Sequence, residues 1–293
     1  MTLAQLEAFV AVAARKSFTL AAVQLSISQP GVSHAIRALE LEWGVSLFQR
    51  VSGQIQLSDV GARLLPRAQA LLGLSETMKQ EAADARGMKR GTLRIGSFGP
   101  TASLHLLPPI LTEFQQLYPD ISVTIDEGPD REVVQWLLDH RVDIGFVVLP
   151  DNRFETTPLI EDQMVALIPK GSPLAERSSV TLRDLCHDPF VLTEAGSSEI
   201  VNRLFTAAQL RPNIHYRTAQ LLSTLDLVSR GVAVTIVAEA ALPKSPSPSY
   251  LVKRLDPSVR RSVGLAVVDA SENSPATRAF HALAVRLRRE RRL

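Results

Sequence analysis

Apolar positions recur along this chain with two different periods, and their order predicts a helical start, one long helix and then an alternation of strands and helices. Leu6, Phe9, Val10 and Ala13 make the first sixteen residues an amphipathic helix. A short helix is predicted from Thr19, as its cap, through Ala21, Ala22 and Leu25. Ser26-Ile27-Ser28 makes a turn, and a second helix begins near Gln29. Ser28 is a suitable cap for it, and Pro30 fits the first turn, where a missing N–H has no helical partner. Val32, Ile36, Leu39 and Trp43 then form one apolar stripe, which leaves Gln29, Ser33 and Arg37 on a shared outward face.

Between Ser58 and Arg86, the residues Leu64, Ala68, Leu71, Ser75, Met78, Ala82 and Ala85 alternate spacings of four and three, as a heptad seam does. Two such helices would pair; the alternative is a lone helix lying on its own domain. Ser58 and Asp59 cap its start, Gly87 lies past its end, and Pro66 sits where a bend is expected. The charged break Arg86-Gly87-Met88-Lys89-Arg90-Gly91 reads as a hinge. Beyond it come strand 92–97, helix 103–117, strand 121–126, helix 131–138 and strand 143–148, a βαβαβ order that predicts a parallel sheet. A second set follows: strands 164–168 and 190–192, helix 197–208, strand 214–216, helix 221–229 and strand 232–237. A final strand, 262–268, and a basic helix, 275–292, close the chain.

Composition adds mainly exclusions. With 293 residues, 45% hydrophobic and 21% charged, the chain suits a folded protein of two or three domains. The amino terminus carries Glu7 and no basic leader, so it reads as a helix, not a signal peptide. No apolar run approaches the roughly 20 residues a membrane span needs, and a cytoplasmic protein without a membrane partner is expected. Cys186 is the only cysteine, which excludes an intramolecular disulfide, and the six His residues show no paired spacing that would read as a metal site. Ser197 or Ser198 is the nearest thing to a nucleophile, yet no Gly-x-Ser-x-Gly turn, P-loop or dinucleotide fingerprint is present. No catalytic residue and no cofactor are assigned, and an enzyme is not expected.

The Gln29–Ser33–Arg37 face offers an amide, a hydroxyl and a guanidinium, groups that match base edges or bond to phosphate oxygens. His34 and Arg50 would add backbone contacts. The plainer reading is a core helix with a merely solvated polar face. Here the residues carry a resemblance. AAVQLSISQPGVSHAIRALE, followed by LFQR and LSDVGARLL, resembles the amino-terminal domain of the LysR-type transcriptional regulators. Their pattern has the same S-Q-P, V-S, I and L-E positions, then L-F-x-R and L-T-x-A-G. The resemblance is dense over roughly the first 65 residues and looser to the carboxyl end. It implies DNA contacts from Ser17, Thr19, Ser28, Gln29, Pro30, Ser33, His34, Arg37, Arg50 and Gln54. Three departures stand out. Gly31 replaces the usual Ala, and the hairpin Val51–Gln56 carries little charge. Arg15, Lys16, Arg37 and Arg50 against Glu7, Glu40 and Glu42 leave this domain at a net +1, so affinity has to come from two paired copies.

The resemblance also implies a domain plan. A winged helix-turn-helix domain (1–58) precedes a linker and dimerisation helix (59–88), with Leu64, Ala68, Leu71, Met78 and Ala82 at the pairing face. The rest (91–293) is an α/β effector domain of two lobes, similar to type II periplasmic binding proteins. Lobe I covers about 91–161 and 266–293 and lobe II about 162–265, with ligands expected beyond the carboxyl ends of strands. Candidate effector contacts are Ser97, Pro100, Thr101 (at the family's hydroxyl position), Gly128, Pro129, Leu149, Glu194, Ser197, Ser198 and Thr235; capping or loop closure is the alternative for each. These loops hold no Arg or Lys, so an anionic effector would rely on helix N-termini and hydroxyls unless Arg153 or Arg203 folds in. Glu194 would instead meet a cationic or hydroxylated ligand, and the choice stays open. The Arg286–Arg292 tail reads as the solvated side of a helix. The expected function is a sequence-specific regulator of transcription modulated by a small-molecule effector, acting as a homodimer or homotetramer on double-stranded DNA, with RNA polymerase as a further partner. The alternative is a cytoplasmic solute-binding protein whose amino-terminal domain only oligomerises.

Overall fold

The structure, a computed structural model, describes residues 1–86, 90–194, 196, 198–244 and 249–293. It opens with α1 (Leu3–Arg15), α2 (Phe18–Leu25) and α3 (Gln29–Trp43). Ser17, not Thr19, caps α2, accepting the Leu20 N–H at 3.3 Å. The helix starts earlier than its polar residues indicate because the Phe18 ring packs edge-on against Phe48, at 5.9 Å between centroids. Ser26, in the left-handed region, ends α2, and Ser28 caps α3 by accepting the Gly31 N–H at 3.2 Å. Val32, Ile36 and Leu39 are buried against Leu6, Phe9 and Val12. The strands β1 (Phe48–Val51) and β2 (Gln54–Leu57) form a hairpin through a Ser52-Gly53 turn.

The long helix α4 (Asp59–Asp84) is capped by Ser58, which accepts the Gly61 N–H at 2.9 Å. Gly61 lies directly under the Leu47 carbonyl oxygen, where any Cβ would overlap it; this is why a glycine follows the cap. The predicted pairing seam divides in two. Ala68 is buried in the amino-terminal core and Leu64 packs beside it, so these two are not open to a partner. Leu71, Leu74, Met78 and Ala82 are exposed. Another side of α4 docks on the following domain: Gln80 donates to the Thr92 carbonyl at 2.9 Å and Glu81 pairs with Arg278 at 3.7 Å. Gly87, predicted past the helix end, is outside the described residues.

The carboxyl-terminal part contains β3 (Gly91–Phe98), a π-helical stretch (Thr101–Leu106) running into α5 (Leu107–Leu117), β4 (Ile121–Gly128), α6 (Asp130–Leu138) and β5 (Ile144–Leu149). There follow β6 (Glu155–Pro169), β7 (Ser179–Val180), α7 (Leu182–Leu185), β8 (Pro189–Thr193), α8 (Ser198–Ala207) and β9 (Asn213–Thr218). Last come α9 (Leu221–Ser229), β10 (Thr235–Ala238), β11 (Tyr250–Val267) and α10 (Pro275–Arg289). Among the described residues one sheet runs β10-β6-β11-β5-β3-β4 with β7 beside β11, and β8 and β9 form a separate parallel pair. β3 is parallel to β4 and β5, as the βαβαβ order requires. The sheet is nevertheless mixed, because β6 and β11 pair antiparallel from Tyr250↔Pro169 to Val267↔Glu155. The strands expected at 164–168 and 262–268 are only the apolar ends of these long ones. Asp256-Pro257 falls within β11, where a register shift between Arg254 and Val259 absorbs it.

Two cores lie along this pair of strands. One gathers Leu93, Ile95, Phe98, Phe114, Phe146 and Phe280; the other gathers Leu167, Phe190, Val191, Phe205, Val228 and Ile236. β6 and β11 contribute to both, so the lobes are joined by strands that cross between them.

Candidate functional site

Two sites follow from this architecture. The first surrounds α3. Gln29, His34, Arg37 and Arg50 are exposed, and the Gln29 amide donates to Ser33 Oγ at 2.8 Å. Gln29, Ser33, Arg37 and Arg50 line one concavity of about 340 Å³ between α3 and the hairpin. Glu40, which the sequence did not single out, holds the two sides together: its Oε1 accepts the Leu47 N–H at 2.7 Å and the Phe48 N–H at 3.4 Å. Gln54 is exposed at the start of β2, Pro30 and Thr19 are exposed in the first turns of their helices, and Ser17 and Ser28 serve as caps.

The second site lies where the two cores meet. Ser97, at the end of β3, is fully buried and its Oγ is 2.8 Å from Ser103 Oγ. Pro100 precedes the π-helical stretch, and Thr101, its first residue, is 1% exposed. Facing them is the loop after β8. Gly196 there has a positive φ of 72°, and a Cβ on it would stand 2.8 Å from the Phe98 ring; the lobes touch at this point. Glu194 accepts from Ser198 Oγ at 3.1 Å and pairs with Arg131 of the opposite lobe at 3.3 Å and with Arg217 at 3.6 Å. Ser197 lies outside the described residues.

The residue that ties this site together is Arg261 on β11. Its Nε donates to Asp162 at 2.9 Å, its Nη1 to the Gly196 carbonyl at 2.9 Å and its Nη2 to Thr101 Oγ1 at 2.6 Å. The Arg261 and Asp162 side chains are 2% and 3% exposed. Asp162 is itself satisfied, its Oδ1 accepting the N–H groups of Gln163 and Ala240. Burial lowers the Arg261 pKa, and the Asp162 charge opposes that shift. Asp130, in the first turn of α6, is buried; burial first, then the charge of Glu199 on α8, raises its carboxyl pKa.

A cation does reach these loops, and it is neither Arg153 nor Arg203. Arg153 pairs locally with Asp151 at 2.6 Å, and Arg203 lines a concavity with Leu149 and Arg261. The buried cation comes from a crossing strand, where Val259-Arg260-Arg261-Ser262 has no local feature to mark one arginine as internal. Gly128 ends β4 against the Trp136 ring, and Pro129 leads into α6. Thr235 is not brought to the cleft floor: it is fully buried within β10 and donates to the Val191 carbonyl at 2.7 Å.

Residues 3–62 match the family model described as bacterial regulatory helix-turn-helix protein, lysR family, and residues 86–288 match the LysR substrate binding domain. The chain is 34% identical over 290 residues to the uncharacterized HTH-type transcriptional regulator YvbU of Bacillus subtilis, covering 98% of this chain and 99% of that one. In structure it is similar to a full-length OxyR variant from Pseudomonas aeruginosa, with a TM-score of 0.74, 23% identity and coverage of 98% and 95%. It is also similar to full-length CbnR complexed with its target DNA, with a TM-score of 0.64, 24% identity and coverage of 98% and 100%.

Proposed function

Because the chain belongs to the LysR family of DNA-binding transcriptional regulators with an effector-binding carboxyl-terminal domain, we propose that it reads its operator with Gln29, Ser33 and Arg37. Arg50 and the hairpin add contacts outside the bases. The observation that carries this reading is that Gln29, Arg37 and Arg50 are exposed, with Ser33 half-buried beside them, around one concavity whose two sides Glu40 ties together. The exposed stripe Leu71, Leu74, Met78 and Ala82 pairs two copies of α4, which supplies the second reading head that a domain of net +1 needs. The effector is held between the lobes near Thr101, Ser97 and Asp130, and the Arg261 bonds to both lobes couple its arrival to their relative position. Family membership displaces the solute-carrier alternative. Among the described residues no helix is long and apolar enough to cross a membrane.

Footprinting on the operator region tests the reading. The Ser33→Ala/Arg37→Ala double variant should lose specific protection while binding nonspecific DNA with a similar salt slope. Protection unchanged from wild type would remove α3 from base reading.

A further inference from the structure

We infer that the effector carries a cationic nitrogen, such as a protonated amine, seated between Asp130 and Glu199 at the junction of the lobes. The inference rests on the cleft reading given above. Most charged groups of the cleft are already matched inside the protein. Every nitrogen of Arg261 is engaged, with Asp162, Gly196 and Thr101 as acceptors. Glu194 is paired with Arg131 and Arg217.

Asp130 is the exception. It is 8% exposed, and its Oδ1 has no hydrogen-bond partner among the described residues. Glu199, a second carboxylate exposed at the start of α8 in the other lobe, acts on Asp130 by its charge, which the Arg261 guanidinium opposes more weakly; Glu199 also feels the charge of Arg153. A buried carboxylate with one oxygen lacking a donor, near a like charge, is destabilised in its ionised form. A cation with several N–H donors placed between the two removes both penalties at once. An anion would meet the reverse: the same two carboxylates and an arginine already occupied. Among the described residues no group of three or more His, Cys, Asp or Glu is placed to hold a metal ion, which favours an organic cation that needs only two acceptors.

The test is calorimetric titration of the full-length protein with ethanolamine, putrescine, glycine and L-ornithine, set against acetate, succinate, glycerol and inorganic phosphate. Saturable binding is expected from amine-bearing compounds only. Asp130→Asn should weaken it by about tenfold or more and Glu199→Gln by a smaller factor, with circular dichroism melts showing that both variants fold. Binding confined to carboxylates, glycerol or phosphate, or amine binding indifferent to Asp130→Asn, overturns the inference, as does no binding by any amine. Thr101→Val separates the two readings. Binding lost in Thr101→Val but kept in Asp130→Asn leaves the cleft and overturns the cation; binding indifferent to both places the ligand elsewhere and ends both.

Discussion

The face of α3 and the cleft between the lobes use the same groups, guanidinium, hydroxyl and amide or carboxylate, in opposite states. On α3, Arg37 and Gln29 stand in solvent, and the tie among the reading residues is a local one, from Gln29 to Ser33. In the cleft, the Arg261, Asp162 and Thr101 side chains are almost wholly buried, and Arg261 donates to both of the others. Exposed groups can be removed without disturbing the fold, so their worth shows only when a partner arrives. Buried ones hold the fold and the function together, because deleting one leaves its partner desolvated and unpaired.

The largest effect should come from Arg261→Met, which leaves Asp162 as a buried, uncompensated carboxylate and should cost about 3–5 kcal/mol of stability in urea denaturation. Adding Asp162→Leu should restore only part of that, because the Gln163 and Ala240 N–H groups then lose their acceptor. A single variant as stable as wild type would mean the pair does not hold the cleft.

Gly61→Ala sharpens the comparison at the junction between the regions. In an open helix interior this change stabilises by up to about 1 kcal/mol. Here the Cβ meets the Leu47 carbonyl, so a loss of about 1–3 kcal/mol is expected from the forced backbone shift, visible as a lower melting temperature of the amino-terminal domain. Arg37→Ala should do the opposite of Arg261→Met. Operator affinity in a mobility-shift assay should fall by about 1–3 kcal/mol, while unfolding stability stays within about 0.5 kcal/mol of wild type.

The smallest effect depends on pH. Asp130 binds its proton more tightly in the folded state than in the unfolded chain, because burial and Glu199 raise its pKa. Its ionisation therefore lowers stability: the penalty is absent below the ordinary carboxylate pKa, grows as pH rises toward the raised folded value, and is complete above it. Asp130→Asn should stabilise the protein at neutral pH by roughly 1 kcal/mol or less, and the gain should vanish in melts run at acid pH. A gain independent of pH would trace to packing and not to charge.

The helix-turn-helix was legible because its signals are local. Ser28 caps α3 three residues from the N–H it accepts, and Val32, Ile36 and Leu39 sit on one face by helical spacing alone. Even there, Ser17 displaced Thr19 as cap because Phe18 packs on Phe48, far along the chain. The division of the α4 seam was not legible: Ala68 and Ala82 occupy equivalent heptad positions, but only Ala68 lies beside the amino-terminal core.

The amino-acid sequence by itself determined the helical reading domain, the long helix after it and the alternation of strands and helices, since each follows from capping and periodicity within a few residues. Tertiary structure alone decided that Arg261 would be internal. Its hydroxyl acceptor is 160 positions away, at Thr101, its carbonyl acceptor is 65 away, at Gly196, and its counter-ion is 99 away, at Asp162. These groups meet because β6 and β11 cross between the lobes side by side. A contact made by strand pairing over such separations leaves no periodic trace in the residues that make it.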